Sequence, residues 1–149
     1  MITYYIYDMN SLKISIVTVL FLLACPTAPA QKSICLEIMG AEVSGGTIHI
    51  SIFNDAQNYK DKVVFLSLKA EAVADTILID VPLMNGEYLF SLFQDHNENG
   101  DLDTNIFGLP QEKVGISNYN GRGIPGNFDR HKISVTEMTE KISLFLYKL

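Results

Sequence analysis

Apolar and polar side chains alternate along most of the chain, in short runs separated by glycine, proline and asparagine. The clearest run covers residues 47–53, where Ile48, Ile50 and Ile52 fall on one side of an extended chain. A period of two is typical of a β-strand with one buried face, whereas a helix repeats its apolar positions every three or four residues. The alternation therefore predicts a protein built mainly from strands.

Seven segments carry strand signals. The predicted strands cover residues 33–39, 47–53, 63–68, 73–81, 87–94, 131–136 and 141–147. We expect Pro82 to end the fourth strand, and the segment 87–94, apolar on both faces, to lie near the centre of a sheet. Residues 54–61 are polar, with room for one helical turn. Short strands at this spacing predict an all-β, antiparallel two-sheet sandwich of about seven strands rather than a closed barrel.

One long stretch, residues 105–130, lacks strand periodicity and is rich in glycine and proline. A loop of this length in a compact domain is usually either functional or disordered. Its apolar side chains favour order, and we expect them to pack onto the domain as a cover. They are Ile106, Phe107, Leu109, Ile116, Tyr119 and Phe128.

The N-terminal 30 residues have the layout of a secretory signal peptide. Lys13 precedes an apolar run over residues 14–24, and small residues and prolines follow. The run is too short for a transmembrane helix, which needs about 20 apolar residues. Cleavage after Ala28-Pro-Ala30 would leave residues 31–149 as a single exported domain, periplasmic or secreted, with no transmembrane segment.

Two alternatives stay open at this end of the chain. Met9 is an alternative start, because the residues before it fit poorly into a compact leader. Leu22-Leu-Ala-Cys25 resembles the lipobox of bacterial lipoproteins, which would anchor the protein through a lipidated Cys25. Cys35 is left alone in either case, so we expect no intrachain disulfide and a buried, unreactive thiol.

The chain is acidic, with a formal net charge of −6 over 149 residues. This charge argues against nucleic acid or an anionic membrane as a partner. The expected partner is therefore a protein or glycan outside the cytoplasm.

The acidic loop, residues 95–103, has the spacing of a calcium-binding loop. Asp95, Asn97 and Asn99 would take its first, third and fifth places, and Gly100 follows at the sixth. Calcium prefers oxygen ligands, and alternate side chains of a tight loop point inward. The pattern predicts a Ca²⁺ site. Its predicted ligands are Asp95, Asn97, Asn99, Asp103 and, through its carbonyl, Asp101.

The match to an EF-hand is incomplete, because Ile106 holds the twelfth place, where a glutamate is expected, and strands flank the loop. Further ligands would have to come from elsewhere, and Glu112 is a candidate. The alternative is a solvated turn, since Asn99-Gly100 also favours a tight hairpin. However, four carboxylates within nine residues repel one another unless a cation screens or bridges them.

Several motifs in a fixed order give the chain a family resemblance. They are Gly86-Glu-Tyr88, Gln94-Asp-His-Asn-Glu-Asn-Gly-Asp-Leu-Asp103, Phe107-Gly-Leu-Pro-Gln-Glu112, Gly115-Ile-Ser-Asn118 and Gly126-Asn-Phe-Asp129. Together they resemble the bacterial secreted family called domain of unknown function 2141. The resemblance implies an immunoglobulin-like or transthyretin-like sandwich in an exported protein, with no established activity. Residues 120–125 and Arg130-His131 depart from the family's usual pattern.

No catalytic constellation is visible. His49, His96 and His131 lack the spacing of a zinc site; we expect the first and last on the solvent side of strands and His96 pointing outward from its loop. Ser117 lacks the second glycine of a nucleophile elbow, so turn or capping chemistry is its expected role.

The sequence thus predicts a binding or structural module rather than an enzyme. Two alternatives stay open. A small hydrolase or lyase outside the cytoplasm could use Asp103 and Glu112, which would require a concave pocket holding both carboxylates. A carrier of a small apolar ligand would instead require a cavity of about 300 Å³ or more between the sheets.

Overall fold

The computed structural model describes residues 32–149, which contain eight strands and two short helices. The strands are β1 (Lys32–Met39), β2 (Thr47–Phe53), β3 (Leu66–Glu71), β4 (Thr76–Leu83), β5 (Gly86–Asp95), β6 (Lys113–Ile116), β7 (Ile133–Val135) and β8 (Lys141–Phe145), and the helices are α1 (Ala56–Asp61) and α2 (Phe128–His131). The predicted signal peptide, its cleavage site and Cys25 lie outside the described residues. Within residues 32–149, neither helix has the length and apolar character needed to cross a membrane.

The strands form two sheets, which confirms the predicted all-β sandwich. The small sheet has the order β4-β1-β8, and the large sheet has the order β3-β2-β5-β6, with β7 paired to the first residues of β5. The pairs are antiparallel except for β1 and β8, which run parallel. An isolated bridge between Val114 and Tyr147 links the two sheets at one edge.

One apolar cluster holds the sheets together, and it contains the alternate positions that the sequence pattern predicted. Its fully buried members from β1, β2 and β5 are Ile34, Leu36, Ile38, Ile48, Ile50, Ile52 and Phe90. Burial of each large aliphatic or aromatic side chain contributes about 1.5–3 kcal/mol to stability, so this cluster is the main source of the fold's free energy.

β5 is the central strand of the large sheet, as its apolar faces predicted, and it pairs with β2, β6 and β7. Phe90 points into the main core, whereas Leu89 packs on the opposite face with Phe53 and Phe128. The second cluster explains why β5 needs apolar residues on both sides.

Several strand boundaries differ from the prediction. β3 begins at Leu66 rather than at residue 63, because the C-cap of α1, Lys62, is left-handed (φ 58°) and residues 63–65 then connect the helix to the strand. β4 continues through Pro82, which an edge strand tolerates. His131 belongs to α2 and not to a strand, and Cys35 is half-buried on the outward side of β1 rather than in the core.

The stretch predicted as one long loop contains β6 and α2, and only part of it covers the domain. Phe128 is buried, and Ile116 and Tyr119 are partly buried. The remaining three apolar residues do not pack down, contrary to the prediction. The exposed fractions are 93% for Ile106, 80% for Phe107 and 53% for Leu109.

These three residues belong to a small hairpin, residues 104–110, called the apolar hairpin below. A bridge between Thr104 and Pro110 closes it. Asn105 N donates to Leu109 O and Gly108 N donates to Asn105 O within the hairpin, and its three apolar side chains face solvent. The prediction failed because apolar composition alone does not distinguish a cover from a self-contained hairpin.

Candidate functional site

The acidic loop begins at the buried end of β5. Both Gln94 and Asp95 are buried there. Gln94 Oε1 accepts a hydrogen bond from Glu42 N at 2.9 Å, and its Nε2 donates to the carbonyl oxygens of Glu42 at 2.7 Å and Gly45 at 3.0 Å. These bonds fix the start of the loop against the turn between β1 and β2.

The carboxylate of Asp95 binds the backbone of its own loop. Its Oδ1 accepts from Asn99 N at 3.2 Å, and its Oδ2 accepts from Gly100 N at 2.7 Å. Glu98 and Gly100 have φ values of 58° and 87°, and these left-handed turns bring the chain back toward Asp95. The loop therefore wraps around its first carboxylate.

Asp95 remains an anion despite being only 1% exposed. Burial alone would raise the pKa of Asp95, but the backbone N–H groups of Gly100, Asn99 and Glu98 outweigh burial and hold the pKa below its ordinary value. A negative charge is thus fixed at the first place of the predicted calcium loop.

His49 lies beside this charge. Its Nε2 is 3.4 Å from Asp95 Oδ2, and its side chain is 14% exposed because the ring stacks on Phe93 with 4.7 Å between ring centroids. His49 thus lies on the face of β2 away from the core, as expected, but Phe93 and Asp95 leave little of its side chain exposed. Its positive form would lower the pKa of Asp95 further.

Three predicted ligands contact one another directly. Asn97 Nδ2 donates to Asp103 Oδ2 at 2.7 Å, and Asn99 Nδ2 donates to Asp103 Oδ1 at 3.2 Å. Asn97 Oδ1 accepts from Asn99 N at 3.1 Å, and Asn99 Oδ1 accepts from Asp101 N at 2.8 Å. Because a carbonyl oxygen has two lone pairs, each amide oxygen keeps one for a further partner.

Glu112 closes the base of the loop. It is buried, its Oε1 accepts from His96 N at 2.9 Å, and its Oε2 accepts from Asp103 N at 3.2 Å. One carboxylate therefore holds the two ends of the loop together. This arrangement favours a positioning role for Glu112 over a role as cation ligand or catalytic acid. The one sequence signal for it is a carboxylate directly before β6.

The donor set of the loop is a mixture of carboxylate and amide oxygens. Within residues 32–149, no three side chains of His, Cys, Asp or Glu are grouped closely enough to hold a metal ion. A cation here would need the amide oxygens of Asn97 and Asn99 and the carbonyl of Asp101, which are donor types that Ca²⁺ accepts. The side chain of His96 is exposed, as expected of an outward neighbour.

Ser117 and His131 form a buried network at the other end of the large sheet. Ser117 Oγ donates to His131 O at 2.6 Å and accepts from Phe90 N at 3.0 Å. Gly126 N donates to His131 Nε2 at 2.8 Å, so Nδ1 carries the ring proton and donates to Ser117 O at 3.0 Å. The prediction of a solvent-side His131 is wrong; the ring is 1% exposed and pins the loop before α2.

Surface clefts lie at both of these ends, among them the following two. One, of about 250 Å³, lies beside the acidic loop and is lined by Glu42, Gln94, His96 and Glu112 among others. The other, of about 520 Å³, lies between α1 and α2 and is called the α-cleft below. Neither cleft lies in the core between the sheets, where an apolar carrier would hold its ligand.

Comparison with known proteins gives a family but no characterised relative. The family described as "Uncharacterized protein conserved in bacteria (DUF2141)" matches residues 36–143, a segment that runs from β1 to β8 and includes the acidic loop. No curated protein and no solved structure gives a match. The chain therefore belongs to this family of uncharacterized bacterial proteins, the family that its sequence motifs resemble.

Proposed function

We propose that the protein is an exported binding or structural module in which Ca²⁺ organises the acidic loop. The observation that carries the proposal is the direct contact of Asn97 and Asn99 with the carboxylate of Asp103, in a loop wrapped around the anionic Asp95. All five proposed ligand positions thus belong to one hydrogen-bonded unit. The proposal of export rests on the signal-peptide layout of the sequence.

The charges in the loop favour a divalent cation. Without one, two amide N–H groups partly neutralise Asp103, and backbone N–H groups neutralise Asp95. Glu98 and Asp101 stay exposed to solvent. A cation would replace the two amide donors at Asp103 and would bring amide and carboxylate oxygens to one centre, which relieves the repulsion among the carboxylates.

Cation binding would also act on the apolar hairpin. Gln111 N donates to Asp103 O at 2.8 Å, directly beside the Thr104–Pro110 bridge that closes the hairpin. Asp103 is therefore shared by the acidic loop and the base of the hairpin. We infer that calcium binding makes the apolar hairpin more rigid. Its exposed side chains would then be held in place for a partner outside the cytoplasm.

Calorimetric titration of Ca²⁺ into the metal-stripped full-length protein tests the proposal. At a free calcium concentration 100 times the Kd, binding should stabilise the protein by about 2.7 kcal/mol. Such a gain corresponds to a rise of roughly 10 °C in melting temperature for a domain of this size.

Two variants make the result specific. Asp103→Asn should abolish or strongly weaken the heat of calcium binding, because it removes the carboxylate that meets both amides. Asp80→Asn, at an exposed carboxylate on β4, should bind calcium as the unaltered protein does. Absence of binding at millimolar calcium, or equal binding by both variants, would overturn the proposal.

A further inference from the structure

Residues 120–127, called the strap below, pass over two aromatic rings at the end of the large sheet away from the acidic loop. Gly121 lies against Tyr147, because a Cβ placed on it would be only 2.7 Å from Tyr147 Cδ1. Gly126 lies against the ring of His131. No residue of the strap is itself buried, and Ile124 is 90% exposed. The strap therefore covers these rings without contributing to the apolar core.

The ring of His131 is the main hydrogen-bonded anchor of the strap. Gly126 N donates to His131 Nε2 at 2.8 Å. Within residues 32–149, no other backbone N–H of the strap donates to a residue outside it. The remaining hydrogen bonds of the strap are local, since they join residues two to four apart in turns and at the cap of α2. Loss of the bond to His131 would therefore free the strap.

This anchor requires a neutral imidazole. Nδ1 of His131 carries the ring proton and donates to Ser117 O at 3.0 Å, which leaves Nε2 as the acceptor for Gly126 N. A second proton could bind only at Nε2, where the new N–H would face the Gly126 N–H. Two donors cannot hydrogen-bond to each other. Protonation of the ring and closure of the strap therefore exclude one another.

The surroundings of the ring do not compensate a positive charge. His131 is 1% exposed, and none of the described carboxylates forms an ion pair with it. The titratable ring packed against it is that of Tyr119, with 6.0 Å between centroids. Both carboxylates on the surrounding elements bind Lys132 instead. The charged side chains on these elements, four basic and two acidic, are Lys60, Glu87, Arg122, Asp129, Arg130 and Lys132.

We propose that His131 makes the strap sensitive to pH, so that binding of a proton at Nε2 releases residues 120–127. Opening brings water to the ring, which solvates the imidazolium. Gly126 and Asn127 also line the α-cleft, so opening removes one wall of that cleft and uncovers the ring of Tyr147. Acidification would thus change the surface at this end of the sheet. This inference goes beyond the proposed function and does not depend on calcium.

The size of the effect follows from the linkage between proton binding and opening. A solvated imidazole binds a proton near pH 6.5, whereas the closed strap leaves no room for a proton at Nε2. The closed form is therefore fully favoured well above about pH 6.5 and is weakened as the pH falls below it. Between about pH 7.5 and 5.5, the ratio of open to closed strap should rise about tenfold.

Hydrogen exchange of the Gly126 N–H, followed by NMR in the full-length protein with a chelator present, tests the proposal. The protection factor, which compares the exchange rate with that of an unstructured peptide at the same pH, should fall about tenfold between about pH 7.5 and 5.5. The N–H of Ser44 is a reference in the same molecule, because it donates to Ala72 O at 2.8 Å far from any histidine of the strap. Its protection factor should change by less than about twofold.

Three variants assign the effect to His131. His131→Gln keeps an oxygen that can accept from Gly126 N but does not titrate, so the protection factor of Gly126 should lose its pH dependence. His131→Phe removes the acceptor, so protection should be low at both pH values. His96→Gln is the matched control, because it removes an exposed histidine elsewhere and should keep the tenfold change. Melting curves verify that each variant is folded.

Three outcomes would overturn the proposal. They are a protection factor of Gly126 that changes by less than about twofold in the unaltered protein, an undiminished pH dependence in His131→Gln, and a ring of His131 that becomes protonated while the Gly126 N–H stays protected. The last is read from the ring chemical shifts of the unaltered protein, so it needs no variant. Calcium titration of His131→Gln separates this result from the proposed function, because its acidic loop should bind calcium normally.

Discussion

The two ends of the large sheet each carry a loop held by buried polar side chains. At one end, Asp95 and Glu112 bind the backbone of the acidic loop as carboxylates. At the other, the neutral His131 ring accepts from Gly126 N before α2, and the Ser117 hydroxyl joins His131 O at the end of α2 to Phe90 N of β5. Both pairs accept hydrogen bonds from nearby N–H groups. Burial and hydrogen bonding alone therefore do not distinguish a binding site from a network that only supports the fold.

The difference lies in the lone pairs that remain. The ring of His131 has one donor and one acceptor, and both are used, so the ring has no nitrogen left for a further partner. The oxygens of Asn97, Asn99 and Asp103 each accept one hydrogen bond and keep capacity for more. We therefore expect a cation to affect the first end of the sheet and to leave the second end unchanged.

The largest expected effect is at Glu112. Glu112→Ala should destabilise the protein by about 3–5 kcal/mol, because the N–H groups of His96 and Asp103 lose charge-assisted partners. Urea unfolding measures the loss. Glu112→Gln, which keeps one carbonyl oxygen, should lose roughly half as much. A loss below about 1 kcal/mol for Glu112→Ala would show that the hydrogen bonds of Glu112 to His96 N and Asp103 N contribute little to stability.

A somewhat smaller effect is expected at His131, at the end of the large sheet away from the acidic loop. His131→Phe should cost about 2–3 kcal/mol, since an aromatic ring is kept but Gly126 N–H and Ser117 O lose their partner. Its calcium-induced rise in melting temperature should equal that of the unaltered protein. A changed calcium response would contradict the independence of the two ends.

The pH dependence of stability reports on Asp95. The pKa of Asp95 is lower in the folded state than in the unfolded state. Asp95 therefore contributes its full stabilisation above the unfolded pKa of about 3.9, and this stabilisation is lost as the pH falls through the lower folded pKa. Asp95→Asn should flatten the fall in unfolding free energy below about pH 4. Denaturant titrations between about pH 5 and 2.5 measure it, with Asp80→Asn as the matched control. Equal slopes in both variants would contradict the assignment.

The sequence predicted the fold where alternation was clean. β2 has the predicted bounds, and β5 lies at the centre of its sheet as its two apolar faces required. β6 was missed because Lys113–Ile116 is only four residues long and contains a glycine, so a period of two cannot be recognised.

The candidate site was predictable in part. The spacing of Asp95, Asn97, Asn99 and Asp103 indicated which side chains would converge, because they are near in sequence. The clamp by Glu112 was not predictable in the same way, since it reaches His96 N from sixteen residues away and depends on how β6 pairs with β5. The burial of His131 likewise depends on α2, a single turn with little local signal.

The most direct test of the calcium proposal is the melting temperature of Asn97→Asp, measured with calcium and with a chelator. Without calcium, the variant replaces the 2.7 Å hydrogen bond to Asp103 with two facing carboxylates. The melting temperature should therefore fall by several degrees, for a loss of about 1–2 kcal/mol. With calcium, the added carboxylate is a stronger ligand than the amide it replaces. The increase in melting temperature on calcium binding should therefore be larger for the variant than for the unaltered protein.

Asn118→Asp is the matched control for this measurement. Its amide also donates a hydrogen bond, to Lys132 O at 2.9 Å, but lies away from the acidic loop, so its loss should be the same with and without calcium. We expect calcium to restore the melting temperature of Asn97→Asp and to leave that of Asn118→Asp lowered. Equal losses in both variants under both conditions would contradict a calcium site in the acidic loop.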